Sequence, residues 1–307
     1  MSLIGRAGYM FGLPRVRRAL QVGAVLLVLF FFGLAFYQLA PDVAAYQWEF
    51  DPFYMGIAVV LIVVRGPLGA YGWWAIVKQL GYRLPWWRSV RIVYYSTFAG
   101  FVPGGMWHAV SRVYLAEKEG VPKGITALSV FLESALVLFG AAVVAPLSLL
   151  VWPDFPLWLG LILLAAMLGF ILQPNVMFGT LNWLLVKVKR EPIEVSMRPP
   201  DMLRLLWPYA LNWVLFGIMS FALVAALYPQ LPIEQAPALA GVFTAAWLVG
   251  YLAVFVPQGL IIREGIIIAF LTGALGIPVP VAAASAVLSR LWSMLGVFLW
   301  GAIASRL

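Results

Sequence analysis

The sequence contains no cysteine and little charge. Without cysteine the chain has no disulfide, no thiolate nucleophile and no cysteine metal site. Charged residues make up only 10% of the 307 residues, hydrophobic residues make up 64%, and the mean hydropathy is +0.98. Soluble domains have about 25% charged and about 45–50% apolar residues. This composition excludes a water-soluble globule and predicts an integral membrane protein.

The apolar segments have the length of membrane-spanning helices. Each approaches or exceeds the roughly 20 residues that a helix needs to cross the hydrocarbon, whereas barrel strands alternate over about ten. We therefore expect an all-α polytopic membrane protein, with residues 1–307 forming one membrane domain. A short interfacial helix is expected at 178–188. The predicted full spans are about 19–40, 53–77, 125–151, 157–172, 205–228 and 281–304.

Two further apolar segments, 89–116 and 238–275, are interrupted by proline and glycine. Broken helices are tolerated at membrane depth only where protein or a watery cavity surrounds them. We therefore expect broken or re-entrant helical hairpins, with helix starts at Gly105 and Gly259 that aim amide donors into a site. The residues of the two breaks are Pro103, Gly104 and Gly105, and then Pro257 and Gly259.

A second short sequence motif, Gly-x-Pro, follows each break and suggests an internal duplication. Gly120-Val121-Pro122 follows the first break and Gly276-Ile277-Pro278 the second. The glycines of the two Gly-x-Pro motifs are 156 residues apart, and the prolines of the two breaks are 154 residues apart. The conserved order and spacing predict repeat-like halves at about 89–151 and 238–304. Two unrelated kinks are the alternative, because Pro and Gly are frequent in membrane helices.

The distribution of charge predicts the topology. All but three of the 20 Lys and Arg residues lie before the first span, around the first broken segment, in the loop near 187–204, or at the end of the chain. These regions are expected to be cytoplasmic, as are both termini, in the cytoplasmic (inner) membrane. The two broken segments then enter from opposite sides, as in an inverted-topology repeat. The predicted external loops contain Asp42, Glu49, Asp51, Asp154 and Glu234.

Seven ionisable residues lie within the apolar segments. A charge at the bilayer centre costs at least about 2.5–3.5 kcal/mol, so these residues need partners or a function. Four Arg against two Glu leave a surplus of two positive charges, and the planar fork of Arg suits phosphate. We therefore expect an anionic substrate. The candidate substrate-binding residues are Arg65, His108, Arg112, Glu133, Arg263, Glu264 and Arg290.

Several of these residues also have structural interpretations. Arg112 lies near a segment end and could extend its guanidinium to the interface. Glu133 could pair with Arg290 or Arg65. Arg263 and its neighbour Glu264 diverge by about 100° on a helix, so each needs another partner. The tryptophan pairs at 73–74 and 86–87 are expected to be interface anchors.

The residues around both breaks resemble the transmembrane region of the lysylphosphatidylglycerol synthetase/flippase family, over nearly the whole chain. In that family the membrane region is implied to move a modified lipid between leaflets, ahead of a soluble aminoacyltransferase domain. We expect no such domain here, because the chain ends at Leu307. The family's second motif usually reads Pro-Gly-Gly-Leu-Gly-x-Arg-Glu, and this chain has Gln258, Leu260 and Ile261-Ile262 there, so two glycines of the motif are replaced. The matching residues are Pro103-Gly104-Gly105, Trp107-His108, Ser111-Arg112, Gly120-Val121 and Glu133, then Pro257-Gln258-Gly259, Arg263-Glu264-Gly265, Gly276 and Arg290.

The leading functional hypothesis is a lipid flippase or transporter that passes a phosphate-bearing head group through an Arg-lined cleft. Its expected partners are a membrane phospholipid or other phosphate-bearing lipid and a separate lipid-modifying enzyme, with no nucleic acid and no cofactor. A secondary transporter of a small soluble anion or amino acid is the alternative. A membrane enzyme that uses His108 and Glu133 is disfavoured. A single histidine, without cysteine or a cluster of carboxylates, provides too few groups for a metal site or a nucleophilic catalytic site. The chain contains no nucleotide-binding loop.

Overall fold

The computed structural model describes residues 41–100, 107–150, 172–187, 197–253 and 261–306, with isolated positions at 37, 165, 168, 169 and 259. The break residues Pro103, Gly104, Gly105 and Pro257 lie outside this part of the chain, as do nearly all of the predicted spans 19–40 and 157–172. The described helices are α1 Pro52–Gln79, α2 Trp86–Ala99, α3 Trp107–Lys118, α4 Lys123–Val144, α5 Pro174–Lys187, α6 Pro199–Leu227, α7 Ala236–Leu252, α8 Ile262–Gly273 and α9 Val279–Ser305.

Five of the described helical segments are long and apolar enough to cross a membrane: α1, α4, α6, α7 with the turn before it, and α9. The prediction of an all-α polytopic membrane protein is thereby confirmed. Four of the five correspond to predicted full spans. The fifth, Ile233–Leu252, is the first arm of the predicted broken segment 238–275 and has spanning length by itself.

The helix ends follow capping chemistry. The side chain of Asp51 caps α1 by accepting hydrogen bonds from the backbone N–H of Phe53, at 2.8 Å, and of Tyr54. Helix α6 begins at Pro199, six residues before its predicted start. Proline fits the first helical turn, and the Asp201 carboxylate accepts from the Arg198 backbone N–H at 3.2 Å. The predicted start was too late in the chain because it was based on hydropathy, which does not register this polar first turn.

Helix α6 is the centre of the fold, since α1, α4 and α7 all pack on it. Small residues permit this close approach, as is usual where membrane helices pack. A Cβ at Gly72 of α1 would lie 2.5 Å from the ring of Tyr209 in α6. A Cβ at Gly140 of α4 would lie 2.8 Å from the indole of Trp213. Residues from α6 therefore lie directly against both neighbours at mid-helix.

A proline inside α1 creates the contact with the last helix. Pro67 has no N–H, so the carbonyl of Val63 loses its helical partner. The indole Nε1 of Trp300 in α9 donates to that carbonyl at 3.1 Å. Next to it, the hydroxyl of Tyr94 in α2 donates to the Gly66 carbonyl at 2.7 Å. The proline thus marks where α2 and α9 dock on α1.

The two Gly-x-Pro motifs, at 120–122 and 276–278, have the same local structure. Gly120 and Gly276 adopt φ values of +83° and +63°, the left-handed conformation that glycine tolerates at a helix C-terminus. The residue after each glycine is buried and donates its backbone N–H back into the preceding short helix. Pro122 and Pro278 are then the N-caps of α4 and α9. The short helices α3 and α8 therefore turn into the following long helices in the same way.

Two contacts relate the loops to the ends of the molecule. The backbone N–H of Asp51 donates to the carbonyl of Ala226 at 2.9 Å, so the loops before α1 and after α6 lie at one end. The side chain of Arg91 donates to the carbonyl of Ala304 at 3.4 Å, which brings the start of α2 beside the end of α9. The predicted topology requires both pairings. Which end faces the cytoplasm stays a prediction.

Candidate functional site

Three of the candidate residues lie near the middle of long helices. At about 1.5 Å per residue, Glu133 lies about 15 Å from the start of α4, Arg290 about 16 Å from the start of α9 and Arg65 about 20 Å from the start of α1. The hydrocarbon is about 30 Å thick, so in a spanning helix these positions are far from either interface. Each charge must be balanced locally.

Arg112 and Glu133 form an ion pair between α3 and α4. Arg112 is only 3% exposed, and its Nε also donates to the Ser96 hydroxyl of α2 at 2.9 Å. Its guanidinium lies 5.5 Å from the ring centroid of Trp73. The alternative in which Arg112 extends to the interface is therefore wrong. The suggested pairing of Glu133 with Arg290 or Arg65 is also wrong, because the turn at 119–122 packs α3 against α4.

Two aromatic residues beside this pair were missed or misread. Trp73, expected to be an interface anchor, is fully buried and donates its indole N–H to Ser129 at 3.0 Å. Tyr209 of α6 is buried, lies within electrostatic range of Arg112 and Glu133, and its hydroxyl has no hydrogen-bond partner among the described residues. The signal for Tyr209 was its place, with Asn212, on one face of an otherwise apolar helix.

Asn212 is the polar partner of Arg65. The Nε of Arg65 donates to Asn212 Oδ1 at 3.2 Å, and its guanidinium lies 4.8 Å from the ring centroid of Phe216. A weaker contact joins Arg65 to the sulfur of Met219 at 3.6 Å. Among the described residues no carboxylate forms an ion pair with Arg65. Since Tyr209 and Asn212 are neighbours on one face of α6, that face contacts Arg65 and approaches the Arg112–Glu133 pair.

The second half of the chain contains a matching pair with its charges exchanged. Glu264 of α8 accepts from Arg290 of α9 at 2.6 Å. Here the carboxylate lies on the short helix after the break and the Arg on the long helix, the reverse of Arg112 and Glu133. Glu264 is 6% exposed, and its second carboxylate oxygen has no hydrogen-bond partner in the described structure.

Arg263 lies beside this second pair without joining it. Its charge is felt by both Arg290 and Glu264, yet within the described part of the chain it forms no ion pair. Its aliphatic stem fills the space where a Cβ at Gly250 of α7 would lie. Of the two adjacent residues that were expected to need other partners, Glu264 has one in Arg290, whereas no ion-pair partner of Arg263 lies among the described residues.

The backbone before Arg263 differs from expectation. Helix α8 begins at Ile262 rather than Gly259, because Gly259 and Ile261 adopt left-handed φ values of +62° and +71°. A Cβ at Gly259 would lie 2.5 Å from the Gly250 backbone. For isoleucine this conformation is unfavourable, and strained residues of this kind concentrate at functional sites.

His108 lies in α3 one turn before Arg112 and is partly buried. Within the described ranges no three His, Cys, Asp or Glu residues form a cluster that could hold a metal ion.

These helices define a polytopic membrane protein, and its buried Arg and Glu side chains form ion pairs between helices. The family model for the lysylphosphatidylglycerol synthase TM region matches residues 18–301. The chain belongs to this family, as its motifs indicated. Comparison with curated proteins and with solved structures gave no match.

Proposed function

We propose that this protein moves a lipid with an anionic, phosphate-bearing head group between the leaflets of the cytoplasmic membrane. The head group travels past the intramembrane arginines while the acyl chains stay in the hydrocarbon. Membership of a lipid-related family supports a lipid substrate. The reaction changes only the position of the lipid, so the protein needs no catalytic residue.

The charge balance of the intramembrane residues carries this proposal. Two of the four arginines are neutralised, Arg112 by Glu133 and Arg290 by Glu264. Arg65 and Arg263 have no carboxylate in ion-pair contact among the described residues. Two uncompensated guanidinium groups at this depth are costly unless an anion joins them. A phosphate accepts two parallel hydrogen bonds from one guanidinium, which makes it a suitable ligand.

The route must be open sideways to lipid. Each methylene group favours the hydrocarbon by about 0.8 kcal/mol, so the acyl chains cannot follow the head group through an enclosed aqueous channel. We assign the route to a cleft between the two broken hairpins, arranged as an inverted-topology repeat. The similar turns at Gly120 and Gly276 and the exchanged charges of the two ion pairs support this arrangement.

In this mechanism the two ion pairs hold the hairpins in their closed positions. Each joins the short helix after a break to the next long helix. An incoming phosphate competes for the arginine and releases the hairpin from that helix. Because the pairs belong to opposite halves, they can open one at a time, which gives access from one leaflet and then the other.

The experiment measures lipid exchange in vesicles reconstituted with purified protein. A trace of head-group-intact phosphatidylglycerol with a fluorophore on one acyl chain is quenched from outside by dithionite. Protein-containing vesicles should lose nearly all fluorescence without nucleotide, whereas protein-free vesicles should lose only the outer half. Radiolabelled phosphate and amino acid uptake into the same vesicles should stay at background. Uptake with immobile lipid favours the soluble-substrate transporter, and a chemically altered lipid favours the enzyme.

Variants at the two uncompensated arginines test the site. Arg65→Gln and Arg263→Gln should each abolish exchange, and Arg263→Lys should also fail, because lysine cannot make the bidentate contact. Arg204→Gln removes an exposed charge at the start of α6 and is the matched control, with exchange unchanged. All variants must first elute as a single species in size-exclusion chromatography. A folded, fully active Arg263→Gln protein contradicts the proposed site.

A further inference from the structure

A surface cavity lies at the end of α1, away from the intramembrane arginines. The cavity has a volume of about 380 Å³ and is lined by Trp74, Lys78, Arg83 and Leu84. The volume is within the range of about 300–1,000 Å³ that is usual for small-molecule sites. Its walls come from the last turns of α1 and from the loop that joins α1 to α2.

The loop is held against the helix by its own hydrogen bonds. The indole N–H of Trp74 donates to the Leu84 carbonyl at 2.9 Å, and the Tyr82 backbone N–H donates to the Val77 carbonyl at 3.1 Å. Trp74 in turn contacts the rings of Tyr71 and Trp86. The cavity is therefore a built feature with a rigid aromatic wall.

Two cations line this cavity, and neither has an acidic ion-pair partner in the described part of the chain. The Lys78 ammonium lies 4.9 Å from the Trp74 ring centroid, which holds it over the aromatic wall. Lys78 and Arg83 take part in none of the ion pairs among the described residues. The nearby acids of this end are already engaged, Glu117 by Lys123 and Glu119 by Arg88.

We infer that this cavity binds the phosphodiester of an anionic phospholipid at the membrane surface. Lys78 lies in the last turn of a helix long enough to span, so the cavity is at head-group level. Lys78 and Arg83 donate to the phosphate, and Trp74 and Leu84 contact the glycerol and upper acyl carbons. Tryptophan is favoured at this depth for that combination of apolar and polar contact. A soluble phosphate would use the two cations but gain nothing from the apolar wall.

The test is binding in detergent, where there are no leaflets and transport cannot occur. Native mass spectrometry of the purified protein, titrated with phosphatidylglycerol or phosphatidylcholine, counts bound lipids. The wild type should retain phosphatidylglycerol preferentially. The double variant Lys78→Gln/Arg83→Gln should lose this binding by about tenfold or more, since each charge-assisted hydrogen bond is worth at least about a factor of ten.

The double variant Lys118→Gln/Arg204→Gln is the matched control. It removes the same charge from exposed positions of α3 and α6, and its binding should equal that of the wild type. Both altered residues of the test variant are exposed, so folding is checked simply by an unchanged melting temperature. Equal binding of both lipids, or equal loss in both double variants, overturns the inference. Displacement by millimolar phosphate, but not by chloride of equal ionic strength, assigns the cavity to soluble phosphate instead.

Because this site is independent of the proposed transport, the two can fail separately. If the protein shows no preferential binding but still exchanges lipid, only the proposed surface site is contradicted. If it binds preferentially but does not exchange lipid, only the transport proposal is contradicted.

Discussion

Arg112 donates a hydrogen bond to Glu133 across the contact between α3 and α4, where the Arg112 side chain is 4% exposed and the Glu133 side chain 16%. The other two contacts of Arg112, with the Ser96 hydroxyl and the Trp73 ring, belong to two further helices. One ion pair therefore fixes the relative positions of α1, α2, α3 and α4. Removing either charge leaves the other buried without compensation.

The first prediction concerns the stability of this pair. Arg112→Met and Glu133→Gln should each lower the free energy of unfolding by about 3–5 kcal/mol, the usual effect of breaking a buried ion pair. The double variant Arg112→Met/Glu133→Leu should recover most of the loss, because no lone charge remains. Unfolding by denaturant in detergent measures all three. The exposed Arg88–Glu119 pair is the control, and Glu119→Gln should change stability by no more than about 1 kcal/mol. An equal effect at both pairs contradicts the burial argument.

The second prediction concerns the glycine contact at the second break. Gly259→Ala should destabilise strongly, because alanine at φ +62° costs about 1–2 kcal/mol and its Cβ would also overlap the Gly250 backbone. Gly273→Ala is the matched control in the same hairpin, since open space surrounds that position. Its effect should stay within about 0.5 kcal/mol. Melting temperatures in detergent compare the two variants, and equal shifts would show that the close contact is unimportant.

The third prediction concerns the hydrogen bond between Trp300 and Val63. Trp300→Phe removes the donor and should cost about 1–3 kcal/mol, because the Val63 carbonyl is left unsatisfied. Pro67→Ala restores a backbone N–H for that same carbonyl. In a Pro67→Ala background, Trp300→Phe should therefore cost much less. A double-mutant cycle measures this coupling, and strict additivity of the two changes would contradict the assignment.

The fourth prediction concerns orientation. The native chain has no cysteine, so single cysteines report accessibility directly. Cysteine at positions 51, 154 and 234 should react with an impermeant maleimide in intact cells. Cysteine at positions 123, 190 and 306 should react only after the membrane is opened. Labelling at 190 in intact cells, or none at 154, would contradict the predicted arrangement.

Much of the fold could be predicted because its signals are local. Apolar length gave the spanning helices, and α4 and α9 begin at Lys123 and Val279, within two residues of the predicted starts at 125 and 281. The start of α6 was misplaced because its first turn is polar and its cap involves Arg198 and Asp201. Hydropathy does not register such a turn.

The contacts within the site depend on which helix faces which, and the sequence does not contain that information locally. The partner of Glu133 could not be chosen among three arginines until α3 was packed on α4. Trp73 and Trp74 are adjacent, yet one is buried against Ser129 and the other lines a surface cavity. Periodicity distinguishes such neighbours only where one face of the helix is clearly polar, and α1 is apolar on all sides.

The contact between Trp300 and Val63 also has a consequence for biogenesis. The donor follows the acceptor by 237 residues, so at about 5–20 residues per second the ribosome supplies it roughly ten to fifty seconds later. During that interval α1 is in the membrane with a carbonyl that Pro67 has deprived of its helical partner. Helix α9 thus completes the hydrogen bonding of a helix made much earlier. Chains released before α9 emerges therefore carry an exposed polar defect in α1, a feature by which membrane quality control can distinguish them from the finished protein.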